Sequence, residues 1–190
     1  MVKSPYEQFV YSVDELSAEL SKRYHQHLAC HAGCSGCCHH HLSVFPVEAA
    51  ALKEAIDKLP PEQRSKIEAQ ARETNEREQR GESVSCPLLV EDRCSVYTSR
   101  PFICRTQGLP LLIEAEDGEL EVDFCPLNFT APAATDDLDE DHLVPLDALN
   151  LSLARINLEF CLANGISDQE SGIRPSIANI ILEKVPSDER

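Results

Sequence analysis

Cys30-His31-Ala32-Gly33-Cys34-Ser35-Gly36-Cys37-Cys38 packs four cysteines into nine residues, and its reading decides what holds this chain together. Outward from it, four more follow at Cys86, Cys94, Cys104 and Cys125, with a ninth apart at Cys161. Thiolates are soft anionic ligands, and sets of four suit tetrahedral zinc or the irons of an iron–sulfur cluster. Spacings of two or three residues, as among Cys30, Cys34 and Cys37, let one short loop offer several sulfurs to one centre. Gly33 and Gly36 allow the backbone to curl around it.

The adjacent pair Cys37-Cys38 is the sharpest clue. Consecutive side chains diverge by about 100° in a helix and alternate faces in a strand. Two such sulfurs are awkward ligands for one ion and more naturally serve two metals, or two metals of one cluster. The expectation is that the first group does not close its own site. It shares ligands with the second in a composite or dinuclear centre, or in two neighbouring sites, holding zinc or iron, so the ligands are Cys30, Cys34, Cys37, Cys38, Cys86, Cys94, Cys104 and Cys125. Such a centre staples residue 30 to residue 125, and its binding free energy is partly folding free energy.

Composition favours metal over disulfides. The N-terminus lacks the basic segment and apolar run of a secretory signal, and no stretch approaches a membrane span of roughly 18 apolar residues. The chain is therefore expected in the cytoplasm, where thiols stay reduced and a cysteine cluster reads as metal-binding or catalytic. Nine cysteines is also an odd number for a paired framework. A formal net charge of −16 opposes binding to nucleic acid or to an anionic membrane, and leaves a protein partner open.

The 190 residues read as a single domain, α+β and predominantly α-helical, with a small β-hairpin in a cysteine-rich, metal-stapled core. A helix over 4–29 starts at the capping box Ser4-Pro5-Tyr6-Glu7 and carries an apolar stripe from Tyr6 to Leu28. Ser12-Val13-Asp14-Glu15 is a second capping box that allows a bend, and Gly33 is placed to stop the helix. Further helices run from Pro46 to Leu59, from Pro61 to about Arg80, and from about Pro145 to Ala163. Leu109–Ala115 and Glu119–Phe124 form a hairpin about Glu116-Asp117-Gly118, followed by an acidic loop over 130–141. Cys86-Pro87-Leu88-Leu89 and Cys125-Pro126-Leu127-Asn128 echo each other, which suggests similar sharp turns.

Taken together, Cys30-x3-Cys34-x2-Cys37-Cys38, Cys86-Pro87-Leu88-Leu89, Cys94-Ser95-Val96-Tyr97 and Arg100-Pro101-x2-Cys104-Arg105 resemble the YkgJ-like cysteine-cluster proteins. These are bacterial proteins described as zinc- or iron-chelating domains. The resemblance covers roughly residues 28–127, includes Cys125, and implies metal chelation without a reaction. Some relatives carry the cluster within flagellin lysine methylases, an activity not carried over to a chain with no second catalytic domain.

Other readings use the same residues. Radical S-adenosylmethionine enzymes share the Cys-x3-Cys-x2-Cys spacing but need a β/α barrel, whose alternating pattern is absent. Cys34 and Cys37 read as a thiol redox pair would leave six cysteines of the two groups unexplained. An iron–sulfur electron-transfer protein, or an accessory to a redox enzyme, is the alternative to a chelating module. No catalytic residue is assigned, since closed four-thiolate coordination leaves no open position for water. His39, His40 and His41 read as a solvated loop before they read as ligands, and His31 as a neighbour of the centre. Arg100 and Arg105 either offset thiolate charge or form ordinary ion pairs. Tyr97 and Pro101 shape their loop, and Cys161 on the apolar side of the last helix is a buried structural thiol.

Overall fold

The computed structural model describes residues 3–115 and 117–183. In chain order its elements are α1 (Pro5–Arg23), α2 (Pro46–Asp57), α3 (Pro61–Gln79), β1 (Leu89–Val90), β2 (Arg93–Cys94), α4 (Phe102–Thr106), β3 (Leu111–Glu114), β4 (Leu120–Asp123), β5 (Val144–Pro145), α5 (Leu146–Ala163), α6 (Asp168–Ser171) and α7 (Ile177–Ile181). The architecture is α+β and predominantly helical, and no helix among the described residues is long and apolar enough to cross a membrane. The chain divides into two compact units, Met1–His31 with Phe102–Ile156, and Ala32–Pro101 with Asn157–Arg190.

In the first unit α1 begins as expected: Ser4 Oγ accepts from the Glu7 N–H, and the Glu7 carboxylate accepts from the Ser4 N–H at 2.7 Å. The second capping box is not used, because Ser12 Oγ instead donates to the Gln8 carbonyl at 3.2 Å and the helix runs straight through. The helix also ends at Arg23 rather than at 29, and Gly33 plays no part in stopping it. Tertiary contacts win here. Tyr24 is buried with its hydroxyl donating to the His142 carbonyl, and the Phe129 N–H donates to the His27 carbonyl at 2.8 Å. The rings of His27 and Tyr24 both pack on Phe129.

The hairpin forms as β3 and β4, antiparallel with Leu112 opposite Val122. Gly118 takes a φ of 83° in the turn, whose Glu116 lies outside the described residues. An unforeseen β5 adds parallel to β3, giving the order β4-β3-β5. Two residues are too short to signal a strand in sequence. Leu20, Tyr24, Leu109, Leu111, Phe129 and Val144 form this unit's core.

The second unit is built on α2 and α3, with α7 packed against both. The charged α3 contributes Ile67 and Ala71, both fully buried, to a core with Leu52, Ile56, Leu88, Val96, Ile177 and Ile181. Gly81, with a φ of 71°, ends the segment after α3 as the sequence indicated. Cys161 is 1% exposed, and burial raises its thiol pKa, in keeping with a structural role. Asn157 supports it by accepting the Val47 N–H at 3.1 Å and donating to the Ser171 carbonyl.

Candidate metal centre

Five of the eight candidate ligand cysteines belong to the second unit: Cys34, Cys37, Cys38, Cys86 and Cys94. Gly36–Cys38 makes a tight 3-10 turn closed by the Cys38 N–H on the Ser35 carbonyl at 2.8 Å. The Cys86 N–H then donates to the Cys38 carbonyl at 2.7 Å, so the backbone itself joins the compact run to the scattered set. Cys86 opens a turn in which the Leu89 N–H returns to its carbonyl, and β1 follows. β1 and β2 pair antiparallel with Leu89 opposite Cys94. Their two-residue turn is Glu91-Asp92, with φ of 52° and 57°. That conformation ordinarily selects Asn or Gly, which is why no hairpin was legible here. Ser35 Oγ donates to Asp92 Oδ1 at 2.9 Å and ties the turn to the cysteine loop.

The local geometry favours thiolates at two of these positions. The Leu88 N–H near Cys86 and the Val96 N–H near Cys94 each pull the thiol pKa down. A backbone donor aimed at sulfur stabilises the anion. Without a metal this is outweighed by burial, which pushes the Cys86 thiol up to about 12, with Cys94 and Cys38 adding to the rise. Burial likewise raises Cys37, Cys38 and Cys94, and the Arg100 guanidinium partly offsets it at Cys38 and Cys94. The Arg100 guanidinium also stacks on the Tyr97 ring at 3.6 Å.

Cys37 and Cys38 lie in a 3-10 turn followed by a bend, neither regular helix nor strand, so the divergence of neighbours in regular elements does not fix how their sulfurs point. The two thiols do influence each other, Cys38 adding to the burial that raises Cys37. What joins the first group to the second is the Cys38–Cys86 backbone bond and the proximity of Cys38 to Cys94.

The other three cysteines, Cys30, Cys104 and Cys125, belong to the first unit, so the compact run is itself divided between His31 and Ala32. Cys125 starts a turn closed by the Asn128 N–H on its carbonyl at 2.8 Å, matching the Cys86 turn as the sequence echo suggested. Asn128 is 1% exposed and carries three bonds. Its Oδ1 accepts the Ala29 N–H at 2.8 Å, while its Nδ2 donates to the Gly108 carbonyl at 2.6 Å and reaches Cys30 Sγ at 3.6 Å. Sequence reasoning missed this residue, although it is where the echo breaks, Asn128 standing in place of Leu89. Cys104 sits in α4 beside Arg105, whose guanidinium is an ion-pair partner of Asp14 on α1 at 2.7 Å.

A family model described as "CxxCxxCC: Putative zinc- or iron-chelating domain" matches residues 29–126 of this chain. The chain belongs to the CxxCxxCC family. No curated protein and no solved structure matches it. The family's printed signature has two residues between its first two cysteines, where this chain has His31, Ala32 and Gly33. The family is the one its sequence resembled, and a zinc or iron ligand set is what its description names.

The donor set fits that description in chemistry, with soft sulfurs and N–H groups placed to support them. Among the described residues, however, no group of three or more His, Cys, Asp or Glu side chains is closed around a common point. Two of the neighbouring histidines have other partners, His39 Nδ1 bonding Ser85 Oγ at 2.8 Å and His41 pairing with Glu78.

The raised cysteine pKa values predict the alkaline behaviour of the metal-free chain. A thiol whose folded pKa lies above its unfolded value favours folding only below the unfolded value. The metal-free second unit is therefore expected to hold its stability to about pH 9. It then loses stability as the pH rises toward the value of about 12 that burial gives Cys86. Chemical unfolding in the presence of a chelator at pH 7, 9 and 10.5 checks this, and a midpoint that rises with pH contradicts it.

Proposed function

We infer that the protein chelates zinc or iron through its cysteine thiolates. Cys34, Cys37, Cys38, Cys86 and Cys94 form one ligand pool, and Cys30, Cys104 and Cys125 form the other. The observation that carries this reading is the Cys86 N–H bond to the Cys38 carbonyl. It brings together cysteines 48 residues apart in the chain, beside a turn and hairpin whose Leu88 and Val96 N–H groups favour the thiolates of Cys86 and Cys94. Backbone donors that lower a thiol pKa stabilise a metal thiolate. The metal supplies the charge that lets these raised thiols ionise, and each ligand thiol releases its proton on binding.

The test is metal content after anaerobic purification. The Cys38→Ser chain is expected to lose at least about tenfold in metal affinity, while Cys161→Ser retains wild-type content. Equal retention by the two variants contradicts the assignment. Visible absorption bleached by dithionite marks an iron–sulfur cluster, and a colourless protein holding zinc marks a closed thiolate site.

A further inference from the structure

β4 is the outer strand of the sheet β4-β3-β5, and all four of its residues are exposed. The ladder shows which backbone groups face outward. The Ala115 N–H bonds the Glu119 carbonyl at 2.8 Å, so the pairs of Ile113 with Glu121 and Leu111 with Asp123 are the hydrogen-bonded ones. Consistently, the Glu114 N–H points away from β4 and bonds Asp147 at 2.8 Å. The N–H and C=O groups of Leu120 and Val122 therefore lie along the free edge.

Side chains alternate along the same strand. Leu120 and Val122, 62% and 40% exposed, share one face, and Glu119, Glu121 and Asp123 share the other. An acidic edge of this kind repels a second copy of itself, because adding the same strand sets carboxylates against carboxylates. It does not repel a basic strand. In a chain of net charge −16, such a segment is also attracted from a distance.

We propose that the outer edge of β4 is a strand-addition site for an extended segment of a partner protein in which Lys or Arg alternates with aliphatic residues. The segment's backbone pairs with Leu120 and Val122, its cations meet Glu119, Glu121 and Asp123, and its apolar side chains cover Leu120 and Val122. Main-chain bonds supply affinity and the alternation supplies selectivity. The edge leads through Phe124 directly into Cys125, which places a docked partner next to one of the cysteines. The proposal does not depend on metal binding, and its test reads no metal.

The probe is an end-capped heptapeptide alternating lysine and valine, titrated into the intact chain and followed by amide NMR. Saturable shifts centred on Leu120 and Val122 are expected, with a glutamate–valine peptide producing none. Val122→Pro removes one outward N–H without touching the β3 ladder and is expected to weaken binding about tenfold or more. Because proline can disturb a short strand, the combined variant Glu119→Lys, Glu121→Lys, Asp123→Lys serves as the second arm. It is expected to release the lysine peptide and admit the glutamate one. Absence of saturable binding, shifts centred elsewhere, or binding unchanged by Val122→Pro overturns the proposal.

Discussion

Stripping the metal from the purified protein is expected to release the cysteine-bearing loops of the second unit while leaving its helices folded. Four-thiolate zinc sites contribute on the order of 10 kcal/mol of apparent binding free energy, comparable with the whole stability of an ordinary domain. In a small zinc module that loss unfolds everything. Here the helices carry an apolar core of their own: Leu52, Ile56, Ile67, Ala71, Ile177 and Ile181 are all buried, with Leu88 and Val96 added from the loops. Each leucine, isoleucine or valine among them contributes about 1.5–3 kcal/mol when fully buried, before the entropy of ordering the chain is subtracted. The helices α2, α3 and α7 thus have a reason to stay folded without metal. The segments 34–45 and 82–101 have much less. Their only regular elements are a 3-10 turn at each of Gly36–Cys38 and Tyr97–Ser99, two two-residue strands and the isolated bridge at Ser43. Glu91 and Asp92 hold positive φ between Cys86 and Cys94, a conformation that costs energy for non-glycine residues. Hydrogen exchange before and after chelation should show protection lost at Cys86, Leu89 and Ser95 and kept across Leu52 and Ile67. Uniform loss would show that the metal holds the whole unit, and no loss would show that it has no structural role.

The parts of this molecule written in local chemistry were legible in the sequence. Ser4 and Glu7 announced α1, Pro46 and Pro61 announced α2 and α3, and Gly118 announced the β3–β4 hairpin. The family too was legible, because cysteine spacing is a local property. What escaped depended on partners distant in sequence. The early end of α1 is set by Phe129, more than a hundred residues away. The β1–β2 hairpin hides because Glu91 and Asp92 adopt a turn geometry that their side chains do not advertise. The 3-10 turn that carries Cys37 and Cys38 was not legible either, and the ideal divergence of neighbours holds only in regular elements. The cysteines themselves were easy to find, but their grouping was not. The sequence blocks of four and four fold into a unit with five and a unit with three.

Gly108→Ala is expected to be the most damaging single methyl in the first unit, for two separable reasons. The φ of Gly108 is 94°, where an L-residue is strained whatever space surrounds it. A Cβ there would also lie 2.8 Å from Cys30 Sγ and 3.4 Å from Asn128 Nδ2. A cysteine can rotate its sulfur away, but this one is held by Asn128, which in turn is fixed by the Gly108 carbonyl and the Ala29 N–H. Backbone strain of about 1–2 kcal/mol and crowding of about 1–3 kcal/mol give an expected loss of roughly 2–5 kcal/mol. Gly81→Ala separates the two contributions, because Gly81 has a φ of 71° with nothing within 4 Å of its added Cβ. Denaturant midpoints should fall further for Gly108→Ala than for Gly81→Ala. In the metal-free chain, Cys30 should also alkylate faster in the first variant only, because its sulfur has been turned out of reach of Asn128. Equal midpoints for the two variants would mean that Cys30 moves freely and that Asn128 does not hold it.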